Sequence, residues 1–365
     1  MNYPIGRCKE EEYMSETVNF QQIDLRSAST HEYQCLAAFQ EILDKERFPD
    51  DPPRLLEEKI QDWKNIPAFF ELEAYIGWNG THSKIIAYCD IGMEHSGSNE
   101  HVAFFTLQVH PEHRRQGLGQ KMLQMIFRFA TAHKCSLMMV WSNDRIPAAT
   151  TFLEHLGARR GQEGKVNQLK ISQLDRDLIA RWSSQSKHLE SEFEMGLWDG
   201  PFPEERIEEI AALLQAMAND QPRDNLEIEE MKFTPEIIRQ FEQNMQATGD
   251  ERWVLYIIDR ARQKLAGWTE VHWHPTRPMI LEQGFTAVDA RYRNKGLGRW
   301  LKAEMMNRIL HERPQVELIR TRNANSNAPM LKINNEMGFQ PYSSITAWQV
   351  NTDQVENYLK DKGLL

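Results

Sequence analysis

The chain has 365 residues, of which 41% are hydrophobic and 26% charged, and a formal net charge of −10, values of a globular protein rather than a disordered or fibrous one. The acidic balance argues against a partner held by charge such as nucleic acid, and no run of eighteen apolar residues is present to span a membrane. The length exceeds what one hydrophobic core usually serves, so two domains of roughly 180 residues are expected.

Taken from the start, the first seventeen residues carry no apolar stretch of the secretory kind. Cys8, Cys35, Cys89 and Cys135 show neither CxxC nor paired spacing, so neither a disulfide framework nor a zinc site is expected, and the expected compartment is the cytoplasm. A strand near residues 18–25, helices near 31–45 and 54–64, and strands near 69–78, 84–93 and 102–109 follow. Asn79-Gly80 is expected to turn the hairpin between two of these strands. A helix then places Met122, Met125, Ile126 and Phe129 on one face, followed by a strand at 136–141, a helix from Pro147 and a strand near 166–171. The second half repeats this order with strands near 253–259, 264–274 and 280–288, a helix to His311, a strand at 316–321, a helix over 327–337 and a strand near 345–350. The join is expected in the polar run 183–187, within a linker at 173–187, giving domains 1–172 and 188–365.

The repeat has a chemical centre. Val109 is followed five residues on by Arg114 and then by Gly117-Leu118-Gly119; 179 residues later Val288 is followed by Arg293 and Gly296-Leu297-Gly298 in the same spacing. A strand, a basic turn and Gly-x-Gly opening a helix aim several backbone N–H groups at one point, an anion cradle. The dinucleotide fingerprint does not match, since it needs glycine where Met122 and Leu301 stand, and no GK[ST] of a phosphate loop follows.

These segments, Arg114-Arg115-Gln116-Gly117-Leu118-Gly119 and Arg293-Asn294-Lys295-Gly296-Leu297-Gly298, resemble the signature of the GNAT superfamily of N-acetyltransferases. The resemblance implies an α/β fold with two tandem GNAT domains, each a mixed, largely antiparallel sheet flanked by helices. It also implies acetyl-CoA as co-substrate, bound at its diphosphate by the turn from Val288 through Arg293, Asn294, Lys295, Gly296, Leu297 and Gly298 to Arg299. The run from Thr321 to Met330, with Asn323, Asn327 and Met330, resembles the segment along the pantetheine arm. A second possible CoA site is Val109, Arg114, Arg115, Gln116, Gly117, Leu118, Gly119 and Gln120. The layout is similar to mycothiol-synthase-like enzymes and to two-domain acetyltransferases of antibiotic producers, so antibiotic self-resistance is one expected role.

Acetyl transfer to an amine needs a proton acceptor near the thioester. Six residues before Val288 stands Glu282, with Ala103 at the matching place before Val109, so the second half is expected to do the chemistry and the first to be structural or to bind CoA without turnover. In mycothiol-synthase-like proteins a glutamate at this place is thought to be the base. Glu270 and His272 are further candidates, sharing a strand face with His274 by alternation. The tyrosine that many GNAT enzymes place four residues before the helix-ending glycine is replaced by Leu153 and Asn334, and Tyr342 is expected as a packed aromatic. Residues 188–236 hold fourteen acids against three bases, so a small cationic amine is the expected acceptor, with Asp224 and Glu227 holding its charge. No metal is expected, a monomer is compatible with the sequence, and the alternatives are a thiol-pathway acetyltransferase, a protein-lysine acetyltransferase or a non-catalytic acetyl-CoA-binding regulator.

Overall fold

The computed structural model describes residues 18–365; the reading of the first seventeen residues, Cys8 included, lies outside them. The first half runs β1 (Asn19–Ile23), α1 (Thr30–Arg47), α2 (Leu56–Lys64), β2 (Phe70–Trp78), β3 (Ile85–Glu94), β4 (Val102–Val109), α3 (Leu118–Ala132), β5 (Leu137–Asn143), α4 (Pro147–Leu156) and β6 (Arg159–Lys170). After α5 (Arg176–Ser186) the second half repeats it as β7 (Phe193–Asp199), α6 (Ile207–Asn219), α7 (Pro235–Thr248), β8 (Glu251–Asp259), β9 (Lys264–Trp273), β10 (Ile280–Val288), α8 (Leu297–Glu312), β11 (Leu318–Ala324), α9 (Ala328–Met337) and β12 (Gln340–Asn351), closed by α10 (Thr352–Asp361). Local rules explain many boundaries: α1 starts in a Ser29–Glu32 capping box, and α4, α7 and α9 end on left-handed glycines. No helix among the described residues is long and apolar enough to cross a membrane.

All twelve strands of the described residues form one sheet in the order β1-β2-β3-β4-β5-β12-β6-β11-β10-β9-β8-β7. The pairs are antiparallel except β4–β5 and β10–β11, which are parallel. The two halves have therefore exchanged their last strands. β12 pairs with β5 of the first half, and β6 pairs with β11 of the second. The helices that follow are exchanged too. Trp348, Val350, Val355 and Leu359 from the C-terminal end complete the core around α3, while Leu169, Ile179 and Trp182 complete the core around α8. The expected linker at 173–187 is mostly helix α5, because Leu178, Ile179 and Trp182 form an apolar stripe at helical spacing and pack in the core around α8.

The opposite face carries α1 and α2 over one half and α6 and α7 over the other. Two connections cross the pseudo-symmetric seam. After α6, Leu226 and Ile228 lie on Val102, Leu137 and Met139 of the first half, with Asn225 N donating to Gly161 O at 2.9 Å. After α1, Asp51 accepts from the buried Arg320 of β11, and Phe48 stacks on Tyr342. The Asn79 turn differs in detail from expectation. Asn79 Oδ1 accepts from Ser83 N and Lys84 N, and the positive φ falls on His82 rather than Gly80.

Because each half lacks its last strand without the other, residues 18–172 and 173–365 produced separately should be insoluble or lack dispersed amide spectra, and co-production should restore a soluble one-to-one complex. An isolated half that melts cooperatively would contradict the exchange.

Candidate active site

The two motifs fold into the same backbone. Each strand ends in a short 3₁₀ turn, then a non-glycine residue at positive φ (Arg115, 64°; Asn294, 63°), then a left-handed glycine that caps the helix (Gly117, 81°; Gly296, 88°). Glycine suits this cap because a β-carbon crowds the carbonyl at such φ. The signature arginine supports the turn from behind: Arg293 Nε donates to Val288 O at 3.1 Å, and Arg114 Nε to Val109 O at 3.2 Å. The N–H groups of Asn294, Lys295, Gly296, Leu297 and Gly298 have no acceptor within the described residues, and Gly296 provides no side-chain cap. Five unpaired donors at a helix N-terminus fit a diphosphate.

The surroundings of the two cradles differ. The second opens into a cleft of about 890 Å³ lined by Val288, Arg293, Asn294, Gly296, Leu297, Gly298, Arg299, Asn323, Asn327, Met330, Glu270, His272 and Glu282. The cofactor and base candidates of this half thus share one cavity, with the exception of Lys295, whose ammonium pairs with Glu192 at 3.0 Å. Trp141 and Gln162 of the first half also line it, a contribution that only the exchanged sheet creates. At the first cradle Arg114 is held by Glu46, Phe152 lies 3.5 Å from where a β-carbon on Gly119 would stand, and Gln120 reaches Tyr358 of α10.

The cleft follows from strand geometry. β10 and β11 pair only over Ile280, Leu281 and Glu282, opposite Leu318, Ile319 and Arg320, and then part. Between Gln283 and Thr286 the register of β10 against β9 shifts, inserting an extra residue. Gly284 makes that bulge feasible, since a β-carbon there would come within 2.7 Å of Glu270 Oε1. The buried Glu270 carboxylate accepts from Phe285 N at 3.2 Å and lies 3.7 Å from His272 Nε2. His272 stands directly opposite Glu282 across the ladder.

β4 pairs with β3 without such a shift, which corrects the matching of the halves. Counting back from the motif valine gives Ala103, but the parallel ladders align Phe104 with Glu282. Ala103 is fully buried in the first core. The first half still has no carboxylate there, and Leu226 and Ile228 pack over the paired stretch of its two strands, on Val102, Leu137 and Met139.

The Glu282 side chain is exposed on the cleft side of β10. Its pKa is raised above 4.5, first by loss of hydration and against the pull of Arg322 and Arg320. A carboxylate whose proton affinity is raised in this way is a better proton acceptor than a fully hydrated one.

Other expected residues stand elsewhere. Asp224 and Glu227, expected to hold an amine, do not line this cleft. Their segment crosses to the first half, where Glu227 pairs with Arg159 at 2.7 Å and its N–H donates to Gln349. Asp220 is the acid of that region that faces the cleft, and it pairs with Arg293. His274 lies just past the end of β9, buried, with Nε2 at 2.8 Å from Thr248 O. Tyr342 packs between Phe48 and the guanidinium groups of Arg145 and Arg320. Among the described residues no three His, Cys, Asp or Glu side chains are placed to hold a metal.

Sequence reasoning missed Lys302, which is 2% exposed and lines the cleft. Burial alone pushes its pKa down to about 7. A lysine in an otherwise ordinary helix gives no signal by itself, but superposing the repeats would have exposed it, because Leu123 occupies the same place in the first half.

Comparison with known proteins agrees with this geometry. A sequence model of the Acetyltransferase (GNAT) family matches residues 36–158, which lie in the first half, although the second half carries the fuller motif. A mycothiol acetyltransferase from Stackebrandtia nassauensis is 27% identical over 95 residues, which span 26% of this chain and 30% of that protein. Among solved structures, a tandem GNAT protein from the clavulanic acid biosynthesis pathway superposes with a TM-score of 0.72 at 20% identity, covering 92% of this chain and 98% of that one. A GCN5-related N-acetyltransferase from Sphaerobacter thermophilus gives 0.60 at 14% identity, covering 91% and 96%. The fold of the whole chain is that of the tandem GNAT proteins.

The raised pKa of Glu282 has a consequence for stability. The folded protein holds this proton more tightly than the unfolded chain, so ionising the carboxyl costs stability as pH rises from about 4.5 through its folded pKa. Glu282→Gln should therefore be at least as stable as wild type at pH 7.5, with less of an advantage at pH 4 in urea unfolding. A variant destabilised at pH 7.5 would show that the ionised carboxylate is well paired.

Proposed function

We propose that this protein is an acetyl-CoA-dependent N-acetyltransferase whose second half acts on a primary amine of a small cationic molecule. The observation that carries the reading is the pairing, within one cleft, of the unpaired N–H groups of residues 294–298 with the carboxyl group of Glu282. The first fits the diphosphate of CoA and the second a proton-accepting role at the far end of the pantetheine arm.

In this reading the backbone donors and Arg299 hold the diphosphate, and Asn323, Asn327 and Met330 border the pantetheine. An alkyl amine arrives as an ammonium ion, which the carboxylates of Glu270 and Glu282 attract. Glu282 accepts a proton, directly or through water, so that the nitrogen lone pair can attack the thioester carbonyl. Glu270, fixed by the Phe285 N–H, stands 3.7 Å from His272 Nε2 and adds negative charge beside it. The first half acts as a wall and strand donor, contributing Trp141 and Gln162 rather than chemistry.

A thiol-pathway role is the second reading, favoured by the similarity to a mycothiol acetyltransferase; a role in antibiotic self-resistance would fit the structural neighbour from clavulanic acid biosynthesis. A panel of aminoglycosides, polyamines, aminosugar thiol precursors and lysine peptides tests these acceptors against one another. With the best acceptor, Glu282→Gln should lower kcat by roughly 10²–10⁴-fold and leave the KM for acetyl-CoA nearly unchanged. Full kcat in that variant would move the proton acceptor to Glu270, His272 or water.

A further inference from the structure

The chain places a lysine where its own duplicate places a leucine. Lys302 is the sixth residue of α8, two turns from the Gly296 cap, and Leu123, the sixth residue of α3, is its counterpart, fully buried in the core of the first half. A second exchange of the same sense lies on the neighbouring helix. Asn334 of α9, 1% exposed, stands where α4 has the buried Leu153; its Nδ2 donates to Asn323 Oδ1 at 2.8 Å, and its own Oδ1 has no partner among the described residues. Two apolar groups of the first half are thus two polar groups in the second. Packing does not require them, because the same fold closes with leucine at both places.

We propose that Lys302 is the acid that protonates the sulfur leaving group when the acetyl group is transferred. The proposal rests on the acetyltransferase reading above. α8 returns along the sheet from the cradle, so a residue four positions beyond Gly298 lies about 6 Å further from the diphosphate end of the cleft. Lys302 lines the cleft there with Thr321 and Ile333. Its ammonium stands 5.8 Å from the centre of the Phe339 ring, and burial is the sole cause of its lowered pKa, with no charged neighbour contributing. Besides the Asp220–Arg293 pair and Tyr292 near the cradle, the charged and titratable groups of the same cleft are Arg299 on α8, Arg322 on β11, Lys332 on α9, Glu282 on β10, and Glu270 and His272 on β9.

The step balances. The amine nitrogen bonds to the thioester carbonyl carbon, the carbon–sulfur bond breaks with its electron pair going to sulfur, and the Lys302 ammonium gives that sulfur a proton. The alkylammonium loses two protons in becoming an amide: Glu282 passes the first through cleft water to bulk solvent before attack and takes the second as the carbon–nitrogen bond forms, and water in the cleft returns that second proton to the lysine. An ammonium with a pKa of about 7 is a stronger acid than a thiol of pKa about 8.5, so the transfer to sulfur is downhill.

The test compares wild type with Lys302→Leu, which restores the residue of the first half, and with Lys302→Met. Burial of an unpaired ammonium is costly, so both variants should melt at or above the wild-type temperature. With acetyl-CoA and the best amine, kcat is followed against pH. An acid must be protonated to act, so the wild-type profile should fall as pH rises through about 7. Both variants should lack that falling limb and show kcat lowered by roughly 10²-fold or more below it, with the KM for acetyl-CoA nearly unchanged. The same falling limb in all three proteins, or full kcat in either variant, would overturn the role of Lys302 alone. Failure of wild type to bind CoA in calorimetry would overturn the acetyltransferase reading and this role with it.

Discussion

The extra residue in β10 is the constraint on which the candidate site depends. A bulge between Gln283 and Thr286 lets the strand leave its neighbour after three parallel pairs, and Gly284 leaves room for the Glu270 side chain beside it. Without that room Glu270 could not reach the Phe285 N–H, and the floor of the cleft would change shape. The first half keeps a regular β4 and fills the same place with Phe104. One inserted residue thus separates a strand pair that opens a site from one that closes a core.

The exchange of β6 and β12 gives this asymmetry its setting. Each half finishes the other's sheet and core, so the halves are held in a fixed relation and Trp141 can border a cleft that belongs to the second cradle. The buried Trp348 illustrates the coupling: it comes from the C-terminal strand, joins the first core and donates to Ser142 of β5 at 2.8 Å. A duplicated domain can in this way keep both copies of a motif while their surroundings diverge.

Much of this was legible in the sequence. The paired motifs located both cradles, and the alternation of β9 and the position of Glu282 located the candidate base, because strand periodicity and a glycine-rich turn are local properties. The strand exchange was not legible, since β6 and β12 have equivalent patterns and pairing partners are set by contacts distant in sequence. The bulge misled the matching of Ala103, as an inserted residue leaves no local mark. Asp224 and Glu227 were misplaced because a cluster of charge says nothing of which surface its loop will cross. The polar run at 183–187, read as part of a linker over 173–187, hid the Ile179 and Trp182 stripe, and Lys302 looked like any helical lysine until its environment was known.

The central claim is that the second cradle serves catalysis and the first does not. The most direct test is the turnover of acetyl-CoA by Gly296→Val compared with Gly117→Val, since a β-branched residue is strained at the left-handed φ that both glycines adopt. Gly296→Val should lose acetyl-CoA binding and turnover while Gly117→Val, folded and purified in the same way, keeps its kcat. Equal loss in two folded variants would contradict it.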